Sequence, residues 1–280
     1  MDALAVAIEQ VWSTMRVLLA SLTPEDWQKP TPCEDWAVKD LVAHVSGGSS
    51  TFAGLEQPSA PADFAPTHEG INALGDMAIA ARASWTPEQL LDEFTRGTEI
   101  QLEKFRAMDD EEWESSSAGP PGVRNLRQLV YVALIDNFIH VLDVRAATGR
   151  PLAPDTMPEA LDMCIARAIE LTPWGAVKRA FLDDGFRVRL ELTGPHALTK
   201  DLVIEDGRGG FVDPGPDGVD VVSGTTLAYL FVVTGRAEWA ELAGGIEASG
   251  ENAHAFFDRY VIWADAKPQR DKVATLPARL

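Results

Sequence analysis

Apolar positions recur at helical spacing through most of the first 150 residues. Leu4, Ile8, Val11, Met15, Leu18, Leu19 and Leu22 share one face of a predicted helix over 2–22. Thr23-Pro-Glu-Asp26 is a start signal for a short helical turn. Pro30, Pro32 and Cys33 form a loop, and Ala37 to about Phe52 reads as a second helix with His44 in its middle. Gly54 to Thr67, rich in Pro and Ala, predicts an irregular loop; Glu69 to about Arg82 predicts a helix. Thr86-Pro-Glu-Gln89 is a capping box with Pro at the first helical position, opening a helix to about Ala107. Ser115 to Gly122 is a loop. Leu126 to Thr148 is the strongest helical pattern, with Gly149 as a left-handed stop and Pro151 just after. Four long helices with substantial connections describe a four-helix bundle.

The pattern changes after residue 150. Pro158 to Leu171 is still helical, but Phe186 to Thr193 alternates strictly and reads as a strand. Leu202–Ile204 and Gly218–Val222 are further strand candidates, separated by Gly, Pro and Asp turns. Helices are expected over Thr225–Thr234, stopped by Gly235, over Glu238–Leu242 and over Glu251–Ala264. The expected class is therefore α+β: a helical domain over 1–152, a small α+β domain over 153–265 and a tail over 266–280 that mixes charge with Pro.

Composition narrows the function. The 280 residues are 46% hydrophobic, enough for a sizeable core. A formal net charge of -19 opposes binding to nucleic acid or an anionic membrane. Only two cysteines are present, Cys33 and Cys164, far apart; this fits a reducing cytoplasm better than a disulfide framework. No basic segment precedes a long apolar run at the start, and no window approaches the roughly 18 uninterrupted apolar residues of a spanning helix. A cytoplasmic protein is expected, as monomer or homodimer.

The candidate chemistry lies in two separated histidine motifs. One runs from Thr31-Pro-Cys33 through Trp36 to Leu41-Val-Ala-His44; the other is Asp136-Asn-Phe-Ile-His140-Val-Leu-Asp143. Asp136 and His140 are i and i+4 and share a helix face. They sit among Leu134, Ile135, Phe138, Ile139, Val141 and Leu142, where ionisable groups cost free energy unless paired or metal-bound. Spacing alone leaves both readings open, a buried Asp–His hydrogen bond or a metal site completed by His44. Two imidazoles and a carboxylate with an open position make a catalytic divalent-metal ligand set. Asp143, one turn on, suits either the ring nitrogen of His140 or a surface pairing with Arg145 or Arg150. Cys33 and Trp36 read first as packing residues of their loop, with a reactive thiol next to a helix start as the second reading of Cys33 and a ligand contact as that of Trp36. His68, His196 and His254 read as solvent-facing.

These motifs resemble the mycothiol-dependent maleylpyruvate isomerase family of the DinB/YfiT-like superfamily of metal-binding four-helix bundles. The resemblance rests on Thr31-Pro-Cys33…Trp36…Asp40-Leu…His44 and on Asp136-x-x-x-His140-x-x-Asp143…Ala147-Thr-Gly149. It extends to Gly224-Thr-Thr-Leu-Ala-Tyr-Leu230…Thr234-Gly-Arg236…Gly250-Glu251, similar to a sterol-carrier-like C-terminal domain. It implies a divalent cation, zinc by family habit, held by His44, Asp136 and His140. It also implies mycothiol as thiol cosubstrate, attacking a small electrophile in S-transfer or in cis–trans isomerisation. Arg236 matches a Gly-Arg pair whose guanidinium would bind a carboxylate of thiol or substrate; without the resemblance it reads as a surface residue. Arg145 is a weaker candidate for the thiol, since a surface salt bridge fits it equally. The isomerase carries Glu where this chain has Asp136, one methylene shorter.

Overall fold

The computed structural model describes residues 2–33, 35–55, 68–117, 123–215, 218–236 and 245–261. The expected helix over Glu238–Leu242, the tail, and most of the 54–67 and 115–122 loops lie outside the described residues. Two compact units are present, Met1–Leu161 and Asp162–Leu280.

The first unit is helical. Its helices are α1 (Ala3–Ala20), α2 (Val38–Ala53), α3 (His68–Ala81), α4 (Pro87–Ala107), the single turn α5 (Asp110–Trp113) and α6 (Leu126–Ala147). α1, α2, α4 and α6 form the bundle, with α3 packed on α2. The ends follow the capping signals. Thr86 accepts the Gln89 N–H while Gln89 returns a bond to the Thr86 N–H, closing the capping box of α4. Asn125 caps α6 through the Gln128 N–H, and Gly149 takes a φ of 70° just past its end. The core is Leu4, Ile8, Val11, Trp12, Leu41, Phe94, Leu134 and Phe138, all at most 2% exposed. Burying each such side chain is worth about 1.5–3 kcal/mol. α1 has an 18-residue stretch of mean hydropathy 1.3, long and apolar enough on composition alone to cross a membrane. Its apolar residues Leu4, Ile8, Val11 and Met15 are buried in the bundle.

The second unit opens with most of α7 (Pro158–Lys178), then β1 (Arg187–Thr193), β2 (Leu198–Glu205), β3 (Arg208–Val212), β4 (Val221–Thr225), α8 (Thr226–Val233), β5 (Ile246–Ser249) and α9 (Glu251–Arg259). The sheet order is β3-β2-β1-β4-β5, antiparallel except for the parallel pair β1/β4. Val188, Leu190 and Leu192 alternate inward on β1. α8 is buried along nearly its whole length. The fold is α+β, as expected.

The differences from the sequence reading have local causes. α7 runs seven residues past the expected end at Leu171 and contains Pro173 inside it. β3 is Arg-Gly-Gly-Phe-Val, whose glycines hide a strand pattern. Gly209 is needed there, because a Cβ would lie 2.0 Å from the Pro173 carbonyl oxygen. β5 has only four residues, and β4 begins at Val221 rather than Gly218.

Candidate metal centre

The Thr31–Trp36 loop is closed on itself before α2 begins. The Thr31 N–H and hydroxyl both donate to the Trp36 carbonyl at 2.9 Å. The Trp36 N–H donates to the Cys33 carbonyl, and the Val38 N–H to the Lys29 carbonyl. Asp40 accepts the Ala37 N–H at 2.9 Å and starts α2. One turn past Asp40, His44 is carried inward. α6 is held in rotation by a buried bond from Trp12 Nε1 to Asn137 Oδ1 of 2.9 Å. That places Asp136 and His140 on the side facing His44.

Asp136 bridges the two imidazoles. Its Oδ1 is 3.4 Å from His140 Nε2 and its Oδ2 is 3.7 Å from His44 Nε2. One ligand atom from each of the three residues lies within 4.8 Å of the others. These gaps are long for hydrogen bonds. Ligand atoms roughly 2.0–2.2 Å from a tetrahedral ion stand about 3.4 Å apart, which is the spacing found. The donor set and its spacing therefore fit a divalent cation. His140 is 7% exposed, but Asp136 is 33% and His44 26% exposed, so solvent reaches the cluster from one side.

The surroundings fix the rings. Asp143, 1% exposed, stands 3.0 Å from His140 Nδ1 and so holds that nitrogen's proton, leaving Nε2 to face Asp136. Of the two readings of Asp143, the ring contact is the one found. Trp36 packs its ring on His44, with centroids 5.0 Å apart, and lies 6.3 Å from the His140 ring. On α3, Gly75 lies against His44: a Cβ there would stand 3.0 Å from Nδ1. That nitrogen is buried and has no hydrogen-bond partner among the described residues. Cys33 also belongs to this neighbourhood, with Sγ 3.6 Å from Asp143 Oδ2 and 3.9 Å from His140 Nδ1.

Charge is strongly coupled. Burial disfavours an ionised Asp136, but the His140 and His44 rings outweigh it and hold its carboxyl well below the usual range. Burial likewise disfavours a charged His140, yet Asp136 and Asp143 together raise its pKa well above the usual value. A cation and a proton thus compete for the same Nε2.

The structure brings His44, Asp136 and His140 together. Arg145 makes its contact elsewhere, donating from Nη1 to the Pro151 carbonyl at 3.0 Å near Arg150 and Asp155. Arg236 belongs to the second unit, just after α8, and donates to the Thr234 carbonyl at 2.8 Å. His196 pairs with Asp162 at the surface, and His254 bonds the Gly250 carbonyl of its own helix start. Sequence reasoning assigned Cys33 and Trp36 to loop packing and did not single out Gly75. The signal for the last was a Gly in the middle of a helical pattern.

Residues 8–145 match the profile described as the mycothiol maleylpyruvate isomerase N-terminal domain. The N-terminal region belongs to that family. The crystal structure of the mycothiol-dependent maleylpyruvate isomerase superimposes with a TM-score of 0.60 at 17% identity, over 89% of this chain and 93% of that one. A point mutant of that enzyme gives 0.59. At this identity the likeness establishes the shared two-part fold. An uncharacterized protein of Mycobacterium tuberculosis, found in two strains, is 29% identical over 86 residues. That alignment takes in 29% of this chain and about half, 47%, of the relative.

Proposed function

We propose that the chain is a mycothiol-dependent metalloenzyme that transfers the thiol sulfur to a small electrophilic substrate. The observation that carries it is the Asp136 carboxylate set between two imidazole Nε2 atoms at 3.4 and 3.7 Å, inside a domain of this family. His44, Asp136 and His140 are the proposed ligands. A divalent cation held there, zinc in this proposal, would lower the pKa of a bound thiol so that it reacts as thiolate at neutral pH. Asp143 keeps the His140 ring oriented, and Trp36 closes the wall beside His44. Arg236 is proposed to bind a carboxylate of thiol or substrate, and Arg145 is a weaker candidate for the thiol. Cys33 and Cys164, not joined in a disulfide, fit a cytoplasmic setting, which cell fractionation would test.

Cis–trans isomerisation of maleylpyruvate is the second reading, favoured by the structural likeness to that isomerase. Asp136, in place of the Glu of the isomerase, is what tilts the proposal toward S-transfer. The test begins with metal analysis of the zinc-reconstituted protein beside His140→Ala. About one equivalent, lost in the variant, is expected. Mycothiol consumption is then followed with a panel of electrophiles and with maleylpyruvate. Thioether formation supports S-transfer, and fumarylpyruvate formation at enzymatic rates would replace it with isomerisation. Bound metal without any thiol-dependent turnover would leave a metal- or ligand-binding protein instead.

A further inference from the structure

His140 faces donors on both of its nitrogens. Nε2 looks at Asp136 and, beyond it, His44; Nδ1 looks at Asp143 and Cys33. The second face is a donor set of its own, one thiol, one imidazole and one carboxylate. Its separations are 3.6 Å from sulfur to Asp143 Oδ2, 3.9 Å from sulfur to His140 Nδ1, and 3.0 Å from Nδ1 to Oδ2. Around a four-coordinate ion bound by sulfur and by nitrogen or oxygen, such donors stand about 3.3–3.5 Å apart. Each observed distance comes within a few tenths of an ångström of that. Asp143 and His140 are buried, while Cys33 is half-buried. An incoming ion would therefore reach the set from the cysteine side.

We infer that Cys33, His140 and Asp143 form a second metal-binding set, selective for a thiophilic divalent cation and exclusive of the first. Thiolate sulfur prefers soft ions, whereas the imidazole and carboxylate donors of the first set suit harder ones. Exclusion follows from the ring. A neutral imidazole offers one lone pair, and the other nitrogen keeps its proton. With an ion on Nδ1, the proton sits on Nε2 and points at Asp136, and His140 no longer serves the first set. Binding on the cysteine side releases the Cys33 thiol proton, and the ring proton passes from Nδ1 to Nε2. A soft ion thus disarms the proposed catalytic site without occupying it. The inference shares His140 with that proposal, but it concerns the other nitrogen and stands whether or not thiol transfer occurs.

The probe is cadmium ion, titrated into the metal-free full-length protein and followed by thiolate-to-cadmium charge-transfer absorption in the ultraviolet. Wild-type protein is expected to develop the band, and Cys33→Ala to lose it with far-ultraviolet circular dichroism unchanged. Cys33→Ser serves if the alanine variant does not fold. The band is expected to persist in His44→Ala and in Asp136→Asn, which leave the second set intact. Absence of the band in wild-type protein overturns the inference. So does its loss in both His44→Ala and Asp136→Asn, because Cys33 would then be a further ligand of the first set. Failure of thiol turnover alone touches only the proposed function.

Discussion

Asp143 Oδ2 lies 3.0 Å from His140 Nδ1, three residues away on the same helix and 1% exposed. A buried carboxylate in that position fixes both the tautomer and the rotation of a liganding imidazole. Removing it leaves the ring free to turn and its Nδ1 proton unpaired. Asp143→Ala is expected to weaken divalent-metal binding by about 10–100-fold. Competition with a chromophoric chelator measures this, and circular dichroism checks the fold. Unchanged affinity in a folded variant would leave Asp143 no part in holding the ring.

Asp26 ties the loop before α2 to the end of α6. Lys29 Nζ donates to it at 2.7 Å, Arg150 at 3.3 Å, and the Thr23 N–H at 3.2 Å. The bond from Lys29, with that from Thr23, holds its carboxyl down to about 2 from an ordinary value of 3.8. A depressed folded-state pKa means the unfolded chain takes up the proton first as pH falls. The stabilisation is thus complete above the unfolded value of 3.8 and is lost as pH falls toward 2. Wild type should exceed Asp26→Asn in Tm by a constant margin from neutral pH down to about 5, and the margin should close below pH 4. A margin that stays constant to pH 2.5 would contradict the assignment.

Arg82 and Glu93 clamp α3 to α4 inside the bundle, with Nη2 to Oε1 at 2.7 Å and Nε to Oε2 at 2.5 Å. Ser46 of α2 adds a third bond to the same carboxylate. The two side chains are only 3% and 12% exposed, so removing one strands a buried charge. Arg82→Met is expected to cost about 3–5 kcal/mol in denaturant unfolding, and the double variant Arg82→Met/Glu93→Leu much less. If the double variant proves as unstable as the single, the geometry of the clamp, rather than the stranded charge, carries the effect.

The helices were legible where a cap or a stop is written locally. Thr86 with Pro87, and Gly149, mark ends that the structure keeps within a residue or so. β3 was not legible, since Gly209 and Gly210 have no side chain to alternate, and the reason for Gly209 is a backbone far away in sequence, at Pro173. The same division holds at the site. Asp136, His140 and Asp143 are spaced along one helix, and their shared face follows from the period. The approach of His44 depends on how α2 packs in the bundle, so spacing left it open as one of two readings and the resemblance favoured it. Cys33 and Gly75 reach the rings from a loop and from α3 through tertiary packing alone.

Gly75 lets α3 pass close to the His44 ring, and this separates stability from binding. Its backbone is ordinary helix, so alanine suits the local conformation and gains about 1 kcal/mol of helix propensity. The added methyl would stand 3.0 Å from His44 Nδ1, closer than comfortable contact. His44 is pinned on another side by the Trp36 ring, 5.0 Å away between centroids. The ring has to yield by a few tenths of an ångström, and Nε2 moves with it relative to Asp136. Gly75→Ala is therefore expected to keep or raise Tm while weakening metal binding, two measurements made on one preparation. A variant that loses Tm yet binds metal as wild type would show that the helix gives way and the ring does not.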